Sequence, residues 1–246
     1  MQVLGHSRIE GSQSSVPTRA GPSGTLTLPN KYGTVMYIPE FLDRSEADAL
    51  FEKTIDAPAW QCTPITFFGK SVLQPRDTAF YGTAPYSYSD ETRPPVHWDA
   101  QPPASNALFD LKCRIERFLE LPNDYFNVAL CNKYTNGTRY MGYHADDELS
   151  LGECPIIASI SVGTERRFLL RPKDSAKLED SRRIEYVLAH GSLLVMAGHT
   201  QKYYKHALPK QAKATETRLN FTFRHVVGQE DEHESVGRKW VPPCID

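Results

Sequence analysis

Two segments in the N-terminal half of the chain carry apolar residues at helical spacing. Residues 45–55 follow the potential N-caps Asp43 and Ser45, and residues 105–121 stop before Pro122. Because positions three and four apart share one face of a helix, each segment has a single apolar stripe to bury. The pattern predicts two amphipathic helices, with the stripes Ala47, Leu50, Phe51 and Ile55 in the first and Leu108, Leu111, Ile115, Phe118 and Leu119 in the second.

The other apolar runs are short and have the character of β-strands. Val, Ile, Phe and Tyr dominate them, and Gly, Pro, Asn and Asp separate them. The predicted strands are 34–38, 65–68, 79–82, 126–134, 156–162, 167–170, 184–188, 192–196 and 219–225. Many short strands after a helical opening predict a mainly β fold with supporting helices (α+β), arranged as a two-sheet β-sandwich or jelly roll.

The two ends of the chain differ in composition from its middle. Residues 1–27 are rich in Gly, Ser, Pro and Thr without apolar periodicity, which predicts a disordered N-terminal tail. Residues 229–246 are polar and charged and predict a C-terminal tail. We expect one folded domain over residues 28–228, an ordinary size for a single core.

Charge is unevenly distributed along the chain, although the net charge is only −2. Residues 164–224 contain 13 Lys and Arg against 6 Asp and Glu. Such an excess is typical either of several solvated basic loops or of one cationic face that meets a polyanion. Composition alone leaves both interpretations open.

Two further features of the sequence bear on where in the cell the protein is found. No apolar run approaches the ~20 residues of a membrane span, so no membrane partner is expected. The five cysteines are scattered and form no C-x-x-C pair, which argues against a disulfide framework. We therefore expect an intracellular, monomeric protein with reduced cysteines.

The densest cluster of polar residues is His144-Ala145-Asp146-Asp147-Glu148. In an extended segment, residues two apart point to the same side, so His144 and Asp146 can reach one metal ion. A second histidine would complete a 2-His-1-carboxylate site, the arrangement suited to non-haem Fe(II), although H-x-D is also common in exposed turns. Three downstream residues can supply this ligand, and spacing does not choose between them: His190, His199 and His206.

Residues 218–224 alternate strictly between polar and apolar side chains. Leu219, Phe221 and Phe223 form the expected core side, and the other side carries Arg218, Asn220, Thr222 and Arg224. An ordinary surface strand has the same pattern, but guanidinium groups also suit carboxylate ligands. The two arginines lie about 20 Å apart along an extended strand, so spacing alone does not bring them to one small dicarboxylate.

In order along the chain, four motifs resemble those of the AlkB family of Fe(II)/2-oxoglutarate dioxygenases: Asn132-x-Tyr134, His144-x-Asp146, His206 and Arg218-x-Asn220-x-Thr222-x-Arg224. The likeness extends over residues 29–226. Phe67-Phe68-Gly69-Lys70, Pro75-Arg76, Tyr81-Gly82, Asp146-Asp147-Glu148 and residues 188–194 are most similar to the eukaryotic branch that repairs alkylated double-stranded DNA.

The resemblance implies a double-stranded β-helix (jelly roll) with Fe(II) held by His144, Asp146 and His206. It thereby selects His206 among the three candidate histidines. It also implies 2-oxoglutarate and O2 as co-substrates, with ascorbate in support. Arg218 would pair with the distal carboxylate of 2-oxoglutarate, Arg224 and Asn132 would lie near the carboxylate that chelates iron, and the pocket would be completed by Tyr134, Asn220 and Thr222.

The implied activity is oxidative demethylation of 1-methyladenine and 3-methylcytosine in DNA, with a duplex as the expected partner. 2-Oxoglutarate and O2 would be converted to succinate and CO2, and the methyl group would leave as formaldehyde. A methylated base inside a duplex is out of reach, so it would have to be flipped out. The nucleus is the expected compartment.

Roles near the substrate follow from the same resemblance. Phe68 would fill the vacated stack, and Tyr88 would stack on the flipped base opposite His144. Asp147 and Glu148 would accept hydrogen bonds from an exocyclic amine and favour a cationic base. Arg76 would contact phosphate or the opposite strand. Further candidate phosphate contacts are Arg166, Arg167, Arg171, Arg182, Arg183, Lys202, Lys205 and Lys210.

Three alternatives to duplex repair remain. The first is the same chemistry on single-stranded DNA or RNA. The second is a non-catalytic nucleic-acid-binding jelly-roll module, against which the complete set of predicted ligands and both arginines argue. The third is an oxygenase that acts on a protein or a small molecule, which Asp147, Glu148 and the basic segment disfavour.

Overall fold

The structure, a computed structural model, describes residues 18–19, 24–28, 33–67, 70–88, 91–100, 102–173 and 183–227. The helices in these ranges are α1 (Arg44–Ile55), α2 (Ala104–Phe118) and the single turn α3 (Thr200–Tyr203). The strands are β1 (Thr18–Arg19), β2 (Gly24–Thr27), β3 (Gly33–Ile38), β4 (Pro64–Phe67), β5 (Lys70–Leu73), β6 (Asp77–Gly82), β7 (Tyr86–Tyr88), β8 (Glu91–Arg93), β9 (Val128–Tyr134), β10 (Met141–His144), β11 (Ile157–Gly163), β12 (Arg166–Pro172), β13 (Ile184–Leu188), β14 (Ser192–Gly198), β15 (Tyr204–Leu208) and β16 (Arg218–Arg224).

Most of these strands belong to two sheets. The larger has the order β2-β3-β14-β11-β16-β9-β6, and the smaller has the order β1-β13-β12-β15-β10. All pairings within them are antiparallel except that of β1 with β13. β4 pairs with β5 and β7 with β8 as separate two-stranded ribbons. The predicted mainly β class with supporting helices is confirmed.

Apolar side chains fill two layers on either side of the larger sheet. Between the two sheets lies one core cluster, with Ile157 and Leu194 from the larger sheet and Leu170 and Leu188 from the smaller. On its other face the larger sheet packs on α1 and α2. This outer layer leaves the polar side chains of the central strands directed toward the smaller sheet, where the candidate site lies.

The two predicted helices form where their apolar stripes indicate, although Phe118 of the second stripe is 48% exposed. α1 begins after Asp43, whose side chain accepts from the main-chain N–H of Glu46 (2.8 Å) while the Glu46 side chain accepts from the N–H of Asp43 (3.0 Å). This reciprocal capping box satisfies amide groups that have no partner within the helix. No helix in the described ranges is long and apolar enough to cross a membrane.

The principal differences from the predicted elements are two strands that the apolar pattern missed, β10 and β15. Both are short and polar, with the sequences MGYH and YKHAL. β1 and β2 fall within the predicted tail 1–27, so that prediction does not hold for residues 18–19 and 24–27. The predicted tail 229–246 lies outside the described residues.

The cysteines also depart from expectation. Cys62, Cys113 and Cys131 are free thiols. Cys154 is disulfide-bonded. The prediction that all the cysteines are reduced is therefore wrong at Cys154, because spacing along the chain carries no information about which distant residues meet.

Candidate active site

Two neighbouring strands bring the predicted metal ligands together. β10 and β15 pair with His144 directly opposite His206, and Asp146 follows two residues after the end of β10. Nε2 of His144 lies 3.6 Å from Oδ1 of Asp146, and Nε2 of His206 lies 3.9 Å from the same atom. One ligand atom from each residue therefore lies within 4.8 Å of the others.

The arrangement of donor atoms fits a divalent metal ion. Oδ1 of Asp146 is buried and has no hydrogen-bond partner, and both histidine Nε2 atoms face it. Nδ1 of His144 lies 2.9 Å from the main-chain oxygen of Gly142, a contact that favours the proton on Nδ1 and a lone pair on Nε2. The ring of Phe168 stacks on that of His206, with centroids 5.4 Å apart, and fixes its plane.

Burial and neighbouring charges together set the protonation of the three side chains. It lowers the pKa of His206 to about 3 and, against the attraction of Asp146, lowers the pKa of His144 below its ordinary value. Burial by itself raises the pKa of Asp146, but Arg224 and the two histidines outweigh it, and the net shift is downward. At neutral pH the cluster consists of two neutral imidazoles and one carboxylate, which are the forms that bind a metal.

Two residues outside the cluster hold Asp146 in place. Arg224 donates to its Oδ2 through Nη2 (2.7 Å) and Nε (3.2 Å), so Oδ1 is the oxygen left for a metal. The main-chain N–H of Asp146 donates to Oε1 of the buried Gln201 on α3 (3.0 Å). Sequence reasoning missed Gln201, because a single amide between two histidines looks like any loop residue.

The other two candidate histidines point elsewhere. Nδ1 of His190 accepts from the main-chain N–H of Gly163 (2.8 Å), and its Nε2 lies 3.1 Å from Oδ1 of Asp48 on α1. His199 lies against Cys154, with Nδ1 3.3 Å from Sγ. The geometry thus selects His206, a choice that spacing alone left open.

The polar side of β16 faces a buried cavity and not solvent. Asn132 on β9 donates to Oδ1 of Asn220 (3.3 Å), and Thr222 donates to the same oxygen (3.1 Å). Asn220 in turn donates to Oγ of Ser159 on β11 (2.7 Å). These side chains are neighbours because Asn132 and Asn220 are direct cross-strand partners. The hydrogen-bonded row forms one wall of the cavity that also contains His144, Asp146 and His206.

Arg218 lies at the end of this wall away from Arg224. Its Nη2 donates to Oγ of Ser161 (2.9 Å), and its guanidinium lies over the ring of Tyr134, 5.4 Å from the centroid. Burial lowers the pKa of Arg218 to about 10, which leaves it cationic at neutral pH. Its Nε is buried without a hydrogen-bond partner. A fixed cation with an unused donor therefore faces a cavity that Arg224 reaches from the opposite end.

Arg76 lies inside the same cavity and is only 4% exposed. Its Nε donates to Oδ1 of Asn132 (2.7 Å), and its Nη1 lies 3.0 Å from Sδ of Met141. The predicted contact with phosphate or with the opposite strand stays a prediction, but the side chain of Arg76 is turned into this cavity. Isolated sequence context could not show it, because the contacts of Arg76 lie 56 and 65 residues away along the chain.

Comparison with known proteins decides the family. Residues 34–224 match the model of the 2OG-Fe(II) oxygenase superfamily. Over 203 residues the chain is 39% identical to alpha-ketoglutarate-dependent dioxygenase alkB homolog 3 of Bos taurus, a match that covers 80% of this chain and 68% of that protein. The chain belongs to the AlkB family. This AlkB protein is also 35% identical to the DNA oxidative demethylase ALKBH2 of Arabidopsis thaliana, over 88% of this chain and 72% of that protein.

Two further matches cover a larger share of the related protein. DNA oxidative demethylase ALKBH2 of Mus musculus is 33% identical, over 88% of this AlkB chain and 92% of that protein. A solved structure described as "The structure of OsALKBH1" is 20% identical, with a TM-score of 0.49, over 79% of this chain and 96% of that one.

Membership of the family makes this AlkB protein an Fe(II)/2-oxoglutarate-dependent dioxygenase. His144, Asp146 and His206 would hold the iron, with the unpartnered Oδ1 of Asp146 as the carboxylate ligand. The unused donor of Arg218 at the far end of the cavity suits the distal carboxylate of 2-oxoglutarate. Iron and 2-oxoglutarate therefore both fit the residues of this cavity.

Two further carboxylates follow Asp146 in the chain and line with it a groove next to the cavity. Asp147 follows the ligand Asp146 directly, is largely exposed, and forms an ion pair with Lys173 (Oδ2–Nζ 2.6 Å). Glu148 is half-buried beside it. Tyr88 ends β7, but its side chain is not described, and Phe68 lies outside the described residues.

The predicted phosphate contacts fall into different environments. Arg166 is buried and donates to the main-chain oxygens of Asn136, Arg139 and Pro209, so it braces loops and does not face a ligand. Arg167 is paired with Glu185. Arg171 and Lys205 lie directly opposite each other on β12 and β15. Arg182 lies outside the described residues.

Proposed function

We propose that this AlkB protein is an oxidative demethylase of DNA bases, with 1-methyladenine and 3-methylcytosine as substrates. The observation that carries the proposal is the position of Asp147 and Glu148, which follow Asp146 directly and line with it a groove next to the cavity. Carboxylates accept hydrogen bonds from an exocyclic amine and favour the positive charge of these methylated bases. The relatives named DNA oxidative demethylase support the same reaction class.

The reaction balances with the co-substrates of the family. 2-Oxoglutarate loses CO2 and becomes succinate, one oxygen atom of O2 enters succinate, and the other enters a C–H bond of the methyl group. The resulting N-hydroxymethyl group breaks at its N–C bond, which releases formaldehyde and leaves the unmodified base. When bound, the iron supplies the activation of O2.

The residues of the chain position the reactants and keep the cavity dry. Arg218 binds the distal carboxylate of 2-oxoglutarate. The row of Asn132, Asn220 and Thr222 lines the cavity between Arg218 and the three metal-binding side chains. Arg224 fixes Asp146 so that one carboxylate oxygen faces the metal. Such groups act by preorganisation, because their hydrogen bonds are in place before the substrate arrives.

The decisive experiment incubates the protein with Fe(II), ascorbate, 2-oxoglutarate and a duplex that contains one 1-methyladenine. Formaldehyde and restored adenine are measured by mass spectrometry, with His144→Ala as the inactive control. The expected result is turnover by the natural protein and none by His144→Ala. Absence of turnover on every methylated oligonucleotide would overturn the proposal. If the protein still bound these oligonucleotides, that result would support the non-catalytic module.

Strand preference is tested with the same lesion in a duplex and in a single strand. We propose action on duplex DNA by base flipping, in the nucleus and as a monomer, with Phe68 filling the gap and Tyr88 stacking on the flipped base. Under this proposal Phe68→Ala reduces duplex repair much more than single-strand repair. Equal losses on the two substrates favour single-stranded DNA or RNA as the natural substrate.

A further inference from the structure

A second cavity lies beside α2, on the face of the larger sheet that packs against the helices. It has a volume of about 690 Å³ and no lining residue in common with the cavity that contains His144, Asp146 and His206. Its walls come mainly from residues 97–99, from α2 and from the loop that precedes β9, and we call it the α2 groove. Cavities of this size hold a small ligand or a few side chains of a partner.

Aromatic side chains form one part of the α2 groove. The rings of Trp98 and Phe109 lie 6.4 Å apart at an angle of 52°, and both line the groove. Trp98 is buried, whereas Phe109 stays 38% exposed. Nζ of Lys112 lies 5.1 Å from the centroid of the Phe109 ring, so this ring already attracts one cation of the protein itself. A ring that is held in place and partly in water can receive a further cationic group.

Three carboxylates also line the α2 groove. They belong to Asp99, Asp110 and Asp124, and the side chains of Asp99 and Asp124 are 83% and 79% exposed. The buried Lys112 donates to Asp124 (2.7 Å) and to Glu116 (3.2 Å), which balance its charge within the protein. Neither an arginine nor a second lysine is found among the described residues of the lining. The groove therefore presents negative charge to solvent.

The combination of carboxylates with aromatic rings restricts what can bind in the α2 groove. Carboxylates repel the phosphate groups of a nucleic acid. A purely apolar partner would bury the carboxylates without a counter-charge, which costs free energy. A guanidinium group satisfies both features, because its plane stacks on an aromatic ring and its N–H groups donate two parallel hydrogen bonds to a carboxylate. An ammonium group is compact and strongly hydrated, so it suits the carboxylates alone.

We propose that the α2 groove binds an arginine-bearing, basic segment of a partner protein. One guanidinium stacks on the ring of Phe109 and pairs with a carboxylate beside it, and the volume leaves room for a second basic side chain of the same segment. Charge complementarity selects this partner over a nucleic acid or an apolar helix. Because the groove shares no residue with the metal cavity, a partner can bind there while the oxygenase site stays open.

The test measures the binding of blocked octapeptides to the full chain by calorimetry. One peptide alternates arginine with alanine, and two others carry lysine or glutamate in place of arginine. The variants Phe109→Ala and Asp110→Asn each remove one feature of the groove. Their matched controls are Phe118→Ala, an exposed phenylalanine on α2 outside the groove, and Glu52→Gln, an exposed carboxylate on α1. The Tm of each variant shows whether its fold is retained.

We expect the natural protein to bind the arginine peptide more tightly than the lysine peptide, and the glutamate peptide not at all. Each groove variant should raise the Kd for the arginine peptide about tenfold, as loss of a cation–π contact or of a charge-assisted hydrogen bond requires. The two controls should leave this Kd unchanged. An unchanged Kd in both groove variants, or failure of the natural protein to bind the arginine peptide, would overturn the proposal. Equal Kd values for the arginine and lysine peptides would overturn the assignment of arginine.

Discussion

At the scale of single residues, the two oxygens of the Asp146 carboxylate have different surroundings. Oδ2 accepts two hydrogen bonds from Arg224, whereas Oδ1 is buried and has none. A buried carboxylate with an unsatisfied oxygen is costly, so natural proteins retain one where a ligand completes it. The same contact shows that Arg224 acts on the metal ligand in addition to any contact with 2-oxoglutarate.

The metal-free protein should lose stability as pH falls from about 6.5 to about 5. The pKa of His206 is about 3 in the folded protein, whereas an imidazole in an unfolded chain has a pKa of about 6.5. The unfolded chain binds more protons in this window, so acidification to about pH 5 should lower the free energy of unfolding by about 2 kcal/mol. Urea titrations at both pH values measure it. His206→Gln should flatten the dependence, and an equal slope in that variant would contradict the assignment.

At the scale of elements, strand pairing builds the site and a short helix supports it. β10 and β15 place His144 opposite His206, and β9, β16 and β11 place their amide and hydroxyl side chains in one row. α3 follows β14 and carries Gln201 against the main chain of Asp146. The metal ligand is therefore held from two directions, by β16 through Arg224 and by α3 through Gln201.

Replacement of Gln201 by Met should weaken metal binding about tenfold, as is typical for residues that orient a ligand. Methionine has a similar shape but cannot accept the hydrogen bond from the Asp146 main chain. Titration with Co(II) as a spectroscopic substitute for Fe(II) gives the Kd directly. Lys202→Met, on the same helix but exposed, is the matched control and should bind the metal normally. An unchanged Kd in Gln201→Met would show that this residue does not support metal binding.

At the scale of the whole molecule, the smaller sheet presents positive charge on its outer face. Arg171 and Lys205 are direct cross-strand partners, although like charges opposite each other destabilise a sheet. The guanidinium of Arg171 lies 4.0 Å from the centroid of the Tyr143 ring, one residue before His144. This outward placement accounts for part of the basic excess in the sequence and suits a nucleic-acid backbone.

Lys205→Gln should weaken binding to an oligonucleotide and lower its salt dependence. One lost phosphate contact reduces the slope of log K against log salt concentration by about 0.7 for a single strand and about 0.9 for a duplex. Fluorescence anisotropy across a salt series measures both quantities. Arg167→Gln is the control, because Glu185 already neutralises that guanidinium and its loss should change the slope less. Identical slopes for the natural protein and Lys205→Gln would place the nucleic acid elsewhere.

Much of this architecture could be predicted from local patterns. The apolar stripes predicted α1 and α2, and the alternation in residues 218–224 assigned Leu219, Phe221 and Phe223 to the core, where they lie. Periodicity succeeds in these cases because burial on one face repeats every two or every three to four residues. It failed for β10 and β15, because each strand turns a histidine toward the site and carries further polar residues, which break the apolar pattern.

The sequence by itself determined the mainly β class, the pair of residues His144 and Asp146, and the polar side of β16. Where spacing left three histidines open and only the family resemblance chose His206, the tertiary structure brings His206 to that pair. Tertiary structure alone decided that Arg224 holds Asp146 and that Arg76 and Arg166 are buried. The physical reason is that side-chain direction along a strand is a local property with a period of two residues. Strand register, burial of a charge and its partners depend instead on segments tens of residues apart, which meet only when the two sheets have formed.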